Sequence, residues 1–381
     1  MAELADAEDL KSSGRKALWV QIPPALLEKD WKMKNPVFLI WNILNSAMVI
    51  AVTYDLPEPA AGSSSAILLQ HRLRVVHSVQ AALESLGHTV LPCLSDLNLE
   101  GHLKRAAPHI AFNLSACLRK EGDAACAPHV LEKMGIPFTG SPAAACAIAV
   151  DKARSKAILR QAGIPTPRYL VISDEKGIRI PDGSAFPLFV KPDRGGCSRG
   201  IHEENLIKEE SVYVKTVQRI LRRVNSPLLV EEFMPGREFS VGIIGNENPK
   251  ILPIREFLFA DGSEEAPFRS FKRKMIDFRK ESAACPADLA PRERTRVEEL
   301  ALKAYRCLGC RDYARIDMRL DRDGAPHILD VNVLPSLARE TSSIVMMAVK
   351  AGISYEDLIS RILLLACRRY HIPCNDVTSF A

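Results

Sequence analysis

The stretch "ARIDMRLDRDGAPHILDVN" (residues 314–332) decides the fold. In its first half Arg315 and Asp317 share one face of a strand, with apolar residues alternating on the other. The turn "DRDGAP" returns the chain, and in "HILDVN" Asp330 and Asn332 again share a face. A buried strand excludes unpaired polar groups because each costs free energy unless something compensates it. Pairing the two strands as a hairpin brings Asp317, Asp330 and Asn332 together, with Arg315 beside them. Three oxygen donors on rigid strands suit Mg²⁺, which takes carboxylates, an amide and the oxygens of substrate phosphates. An arginine at the same spot can hold a developing oxyanion. The competing reading is a surface hairpin whose polar face meets water. A lone amide bracketed by Val331 and Val333 argues against it.

Upstream, "FPLFVKPDRGGCSRGI" (186–201) reads as a strand, a glycine-rich turn and another strand. Lys191 stands just ahead of Pro192, facing a loop with Gly195, Gly196 and Gly200. Glycines allow close backbone approach, so the loop N–H groups can surround phosphate oxygens. Lys191 adds a point charge and Ser198 one more hydrogen bond. A flexible hairpin turn is the alternative for this loop taken alone. "PLLVEEFMPGREFSVGIIG" (227–245) reads as a strand, a Pro-Gly turn and a strand, with Glu231 and Glu232 before the turn and Glu238 after it.

Further out, the first half alternates strands and helices. "AMVIAVTYD" (47–55) is a buried strand, "LLQHRLRVVHSVQAALESLGH" a helix ending at Gly87, and "TVLPCL" and "HIAFNLS" (109–115) two more strands. That order describes an open, mostly parallel α/β unit. "DKARSKAILRQAGIP" begins a second unit as a helix with Asp151 at its start and Gly163 at its end. A long loop (about 258–290), a helix (291–308), paired strands (around 312–331) and a closing helix (353–370) complete the chain. The expected organisation is an extension at 1–46, an α/β unit at 47–145, a central subdomain at 146–225 and a C-terminal one at 226–381.

Composition sets the chemical class. Of 381 residues, 47% are hydrophobic and 25% charged, an ordinary globular balance. A net charge of +5 without a basic tail argues against nucleic acid and suits an anionic small molecule. The ten cysteines lack disulfide-framework spacing, which predicts free thiols and a cytoplasmic, reducing compartment. Cys307 and Cys310 form a CxxC with no second pair, so a helix end is expected there rather than a zinc site. The first 35 residues carry no secretory pattern. The apolar run at 36–54 is interrupted by Asn42, Asn45 and Ser46, so its second half reads as a first strand and no membrane span is expected.

Six stretches then carry a family resemblance: "GIPFTGS", "DKARSK", "FPLFVKPDRGGCSRG", "LLVEEFMPGREFSV", "GCRDYARIDMRLD" and "ILDVNVLP". In this order, from about residue 108 to 370, the chain resembles an ATP-grasp ligase of the D-alanine–D-alanine ligase superfamily. The resemblance implies an N-terminal open parallel α/β domain followed by two α+β subdomains that clasp ATP between two sheets. It implies that Lys152 and Lys191 bind ATP phosphates, and that the turn at Gly196, Cys197 and Ser198 covers the β- and γ-phosphates. Glu231, with the backbone near Glu232 and Met234, would meet the adenine, and Glu238 would hold the ribose hydroxyls. Lys274 matches a mobile-loop lysine that reaches the γ-phosphate. Asp317, Asp330 and Asn332 would bind two Mg²⁺ ions, or Mn²⁺, and Arg315 would stabilise the acyl-transfer intermediate. The implied reaction is carboxylate activation through an acyl-phosphate, followed by amine attack, with dimerisation through the first domain.

The substrate side departs from that family. The glycine-rich stretch with its glutamate is replaced by "TYDLPEPAAGSSS", where Glu58 is the only acid. Cys197 stands for a serine of the phosphate loop, Met275 for a tyrosine of the mobile loop, and Asp330 for a glutamate. "NVLPSLARETSS" lacks the expected Pro-Gly turn, though Thr341, Ser342 and Ser343 could still meet a carboxylate; Arg339 is either an anion contact or, the favoured reading, a solvated surface cation. These departures predict a carboxylate and an amine other than two D-alanines. The alternatives are an ATP-dependent phosphotransferase of the same fold and a nucleotide-binding protein without turnover.

Overall fold

The strand expected at 47–55 is β1 (Val49–Tyr54), the centre of a three-stranded parallel sheet in the order β2-β1-β3. Its neighbours are β2 (Thr89–Leu94) and β3 (Ile110–Asn113). Helix α1 (Ser63–Ser85) lays Val75, Val79 and Leu83 on Ile50 and Val52, as its helical spacing requires. Helix α2 (Leu99–Ala106) covers the opposite face with Leu99 and Leu103, joined by Leu131 of α3 (Ala127–Lys133). After α3 the chain adds a single parallel bridge between Phe138 and Ala111 at the edge of this sheet. These features come from a computed structural model that describes residues 47–56, 63–115, 126–196, 200–224, 226–259, 268–272 and 282–373. Residues 47–381 form one compact unit, and the expected extension at 1–46 lies outside the described residues.

Helix α4 (Ala143–Val150) leads directly into α5 (Lys152–Gln161). Asp151 caps α5 by accepting a hydrogen bond from the Arg154 amide at 2.8 Å, the role its sequence position predicts. A four-stranded antiparallel sheet follows in the order β4-β7-β5-β6. Its strands are β4 (Tyr169–Ile172), β5 (Leu188–Pro192), β6 (Leu206–Ile207) and β7 (Leu228–Glu232). Helix α6 (Glu210–Val224) packs Tyr213, Val217 and Ile220 against Leu188, Val190 and Val230 on one face of it.

The third sheet is antiparallel, in the order β11-β10-β8-β12-β13, with β9 paired to β8. It comprises β8 (Glu238–Ile244), β9 (Lys250–Ile251), β10 (Arg255–Phe257), β11 (Ala283–Ala284), β12 (Tyr313–Leu320) and β13 (Pro326–Asn332). Helix α7 (Pro291–Cys307) buries Val297, Ala301, Ala304 and Tyr305 against Phe239, Val241, Ile316 and Met318. That packing leaves the other face of β12, with Arg315, Asp317 and Arg319, for the site. Helix α8 (Ser343–Lys350) and the closing helix α9 (Tyr355–Arg369) return to the first sheet, where Leu358, Ile359 and Ile362 meet Val75 and Val79.

The two strands read on either side of the Pro-Gly turn, whose pairing the sequence left open, lie in different sheets: β7 pairs with β4 and β5, whereas β8 pairs with β9, β10 and β12. The chain crosses between the two sheets at residues 233–237. The cysteines differ from the all-thiol expectation. Cys93, Cys146, Cys285, Cys307, Cys310 and Cys367 are free thiols, but Cys126 is disulfide-bonded. Sequence spacing does not reveal such a bridge, because it depends on two Cβ atoms meeting within about 4.5 Å in the fold. Cys307 ends α7 and Cys310 is buried beyond it, its thiol pushed above the usual range by burial, as a structural helix end requires. No helix among the described residues is long and apolar enough to cross a membrane.

Candidate active site

The second and third sheets face one another across a cleft lined by both. From the central side come Lys152, Lys191, Gly195, Gly196, Glu231, Glu232 and Met234; from the third sheet come Glu238, Arg315, Asp317, Arg319, Asp330 and Asn332. Cys197, Ser198 and Lys274, expected at the same place, lie outside the described residues.

The hairpin forms in the expected register. Asp317 lies opposite Asp330, and Arg315 opposite Asn332, with an irregularity after Asp317. Arg315 donates to both Asp317 oxygens, Nε to Oδ1 at 2.8 Å and Nη2 to Oδ2 at 2.6 Å. Ser240 of β8 donates to Oδ1 at 2.5 Å, and Asn332 Nδ2 donates to Oδ2 at 2.9 Å. Burial works to raise the Asp317 carboxyl, but Arg315 and Ser240 outweigh it and hold the group below its ordinary range. Arg315 therefore points its fork at Asp317. The Asn332 oxygen and the half-buried Asp330 carboxylate, which has no hydrogen-bond or ion-pair partner among the described residues, keep acceptor capacity toward the cleft.

Among the described residues no three His, Cys, Asp or Glu side chains gather as a metal cluster. Two carboxylates and an amide on adjacent strands remain a donor set of the kind Mg²⁺ accepts when phosphate oxygens or water supply the rest. The residues present fit that ion on donor chemistry.

Opposite them, Lys152 begins α5 and is buried, with Nζ donating to the carbonyls of Gly195 at 2.9 Å and Asp193 at 3.4 Å. Burial lowers its pKa, with the Asp330 charge acting in the opposite sense. Lys191 Nζ lies 2.6 Å from Glu231 Oε1. The other Glu231 oxygen lies 3.0 Å from Lys156 Nζ, an ion pair by distance in which Oε2 accepts no aligned hydrogen bond among the described residues. Burial works to raise the Glu231 carboxyl, yet the two ammonium groups keep it below its ordinary range. Burial likewise pushes the Lys156 ammonium down to about 8, against the pull of Glu231. Glu231, expected at the adenine, thus sits between two lysines, and Glu238 has Arg319 Nη1 3.4 Å from its Oε2.

Three residues of this arrangement escaped the sequence reading. Lys156 is one helical turn beyond Lys152 and shares its face. Arg319 extends the Arg315 and Asp317 alternation by one more pair, and Ser240 follows Glu238 at strand spacing. Each was visible as periodicity. Beyond the cleft, Arg255 Nη1 donates to Ser343 Oγ at 2.9 Å, and the exposed Arg339 pairs with Glu356 at the surface, as expected of a surface cation.

Two antiparallel sheets closing on a cleft, lysines on one side and an Arg/Asp/Asp/Asn hairpin on the other, define an ATP-grasp protein. The family profile described as "D-ala D-ala ligase C-terminus" matches residues 158–364. A D-alanine–D-alanine ligase of Carboxydothermus hydrogenoformans is 32% identical over 302 residues, covering 77% of this chain and 92% of that protein. The uncharacterized protein y4sG of Sinorhizobium fredii is 34% identical over 305 residues, covering 78% and 88%. The crystal structure of a Bacillus anthracis D-alanine–D-alanine ligase complexed with ATP superposes with a TM-score of 0.66 at 25% identity, over 85% of this chain and 99% of that one. The chain belongs to the D-alanine–D-alanine ligase family.

Proposed function

We propose that this protein is an ATP-dependent carboxylate–amine ligase that works through an acyl-phosphate and joins a pair other than two D-alanines. The observation that carries the reading is the convergence in one cleft of Lys152 and Lys191 with Arg315, Asp317, Asp330 and Asn332. In the reaction, the γ-phosphoryl group passes to a carboxylate, giving an acyl-phosphate and ADP. An amine then attacks the acyl carbon and phosphate leaves. Both steps move negative charge, so fixed cations and positioning supply most of the catalysis.

Lys152, held by two carbonyls at the root of the glycine loop, presents a dry ammonium to the phosphates. Lys191 and Lys156 share the single negative charge of Glu231, so the trio keeps a net positive charge facing an anionic ligand. Asp317, Asp330 and Asn332 would hold Mg²⁺, which would neutralise charge on the phosphate oxygens. Arg315, fixed in place by Asp317 and thereby by Ser240, would lend its positive charge to an oxyanion beside that set. The altered substrate pair is supported by "TYDLPEPAAGSSS", Cys197 and Met275, which together replace one substrate-side network while the cation side is kept. The cytoplasm is the compartment that holds such substrates with ATP.

The test is ADP release by the purified protein with Mg²⁺ and a panel of carboxylate and amine pairs, with mass spectrometry of the product. ADP that requires both substrates and accompanies an amide is the expected result. ADP without need of an amine points to a phosphotransferase, and none with any pair points to a binding protein. D-alanine as the best substrate for both positions would overturn the altered pair. Asp330→Ala should lower the Mg²⁺-dependent rate at least about 100-fold, and an unchanged rate would remove the metal assignment.

A further inference from the structure

We infer that Arg319 is a positioning residue for the nucleotide's ribose: it holds Glu238 and the crossing between the two sheets in the shape that binds the ribose hydroxyls. This rests on the reading of the cleft as an ATP site with Glu238 at the ribose.

Arg319 closes the row of side chains that β12 turns to the cleft and lies opposite Glu238 in the register of β12 with β8. It is 3% exposed. A guanidinium stays charged in a protein, so its burial must be met by neighbours at every donor. Those neighbours are the crossing itself. Nε and Nη2 donate to the Gly236 carbonyl at 3.2 and 2.9 Å, and Nη2 also reaches the Pro235 carbonyl at 3.5 Å. Nη1 reaches Glu238 Oε2 at 3.4 Å. The guanidinium carbon lies 4.5 Å from the centre of the Phe233 ring and 5.7 Å from that of Phe259, contacts of the cation–π kind.

One side chain thus ties the first residue of β8 to the crossing on one side and to the segment after β10 on the other. The contrast with Arg315 is chemical. Arg315 grips Asp317 at 2.8 and 2.6 Å, whereas the contact of Arg319 Nη1 with Glu238 Oε2 is long, at 3.4 Å. A carboxylate offers about four acceptor sites, so Glu238 is steered by Arg319 and retains capacity for hydroxyl donors. Neither lysine nor methionine can span two carbonyls, a carboxylate and a ring face at once.

The experiment compares Kd for MgATP and for Mg-2′,3′-dideoxy-ATP by calorimetry, in the unmodified protein and in Arg319→Met and Arg319→Lys, with far-UV circular dichroism to confirm folding. The unmodified protein should bind the dideoxy analogue at least about tenfold more weakly, the cost of losing hydrogen bonds to a charged group. In Arg319→Met that ratio should fall to about two or less while ATP itself binds about tenfold more weakly; Arg319→Lys should fall between. A variant that keeps the full ratio, even with weakened ATP binding, makes Arg319 a packing residue and overturns the inference. Should the methionine variant not fold, the lysine variant decides by the same ratio. Failure of the unmodified protein to bind MgATP would overturn the ATP reading of the cleft, and the inference with it. ATP binding with no dideoxy penalty would overturn the inference alone.

Discussion

Replacing Lys156 by methionine tests the buried charge network most directly. Lys156 Nζ lies 3.0 Å from Glu231 Oε2, 2.7 Å from Thr166 Oγ1 and 3.5 Å from the Ile328 carbonyl. The side chain is 2% exposed and that of Glu231 4%. Methionine nearly matches the lysine stem in volume, so the packing cost is small. Thr166 keeps its own bond to Ile328 at 2.9 Å. The main cost is a buried Glu231 left with Lys191 alone, which for a broken buried pair amounts to about 3–5 kcal/mol. Urea unfolding at pH 7.5 measures it. The pH dependence separates burial from pairing. Burial pushes the Lys156 ammonium down to about 8 in the folded protein, against the pull of Glu231, whereas a lysine in the unfolded chain titrates near about 10.4. Between those values the unfolded chain binds a proton that the folded protein lacks, so stability contributed by Lys156 rises with pH. That contribution is complete above the unfolded value and is lost as pH falls through 8. Methionine carries no proton, so the gap between the two proteins should widen by up to about 3 kcal/mol between pH 7 and 10.5. A gap that narrows over that range would refute the dominance of burial at this site, and a loss below about 1 kcal/mol at pH 7.5 would refute the dependence of Glu231 on Lys156.

Two further outcomes are expected. In Gly236→Ala the new Cβ would stand 2.7 Å from the Leu320 carbonyl oxygen, a backbone atom that already accepts from the Gly236 amide at 2.9 Å. The crossing must shift, so stability should fall by about 1–3 kcal/mol and ATP affinity should weaken with it; urea unfolding and calorimetric titration check both, and an unaffected affinity would detach the crossing from the site. Asp312→Ala removes a fully buried carboxylate that accepts from the Gly140 amide at 2.7 Å, Asn246 at 2.9 Å and Arg369 at 2.8 Å. It joins the third sheet to the closing helix, so its loss should cost about 3–5 kcal/mol in urea unfolding, and a change under about 1 kcal/mol would show that Arg369 finds another partner.

The hairpin at 314–332 was legible because its information is local. Alternation of polar and apolar residues along a strand states which side chains share a face, and the turn between two such strands states that they pair. Asp317 opposite Asp330 follows from that. The first sheet and the helix after Asp151 were legible for the same reason. The crossing at 233–237 was not, since a strand, a Pro-Gly turn and a strand look alike whether the strands pair with each other or with different sheets. The partnership of Arg319 with that crossing stayed hidden for the same reason.

What the sequence by itself determined is the inventory: the lysines, the two aspartates and the asparagine, the glycine loop, and their assignment to strands and helices of fixed period. Those follow from backbone geometry, which repeats every few residues. What only the tertiary structure decided is who neutralises whom. Glu231 is shared by Lys156 and Lys191, Arg315 is committed to Asp317 with Ser240 behind it, and Glu238 is steered by Arg319. A buried charge must find its counter-charge across space, and the distance between two side chains on different strands or sheets is set by the packing of whole layers rather than by the residues between them.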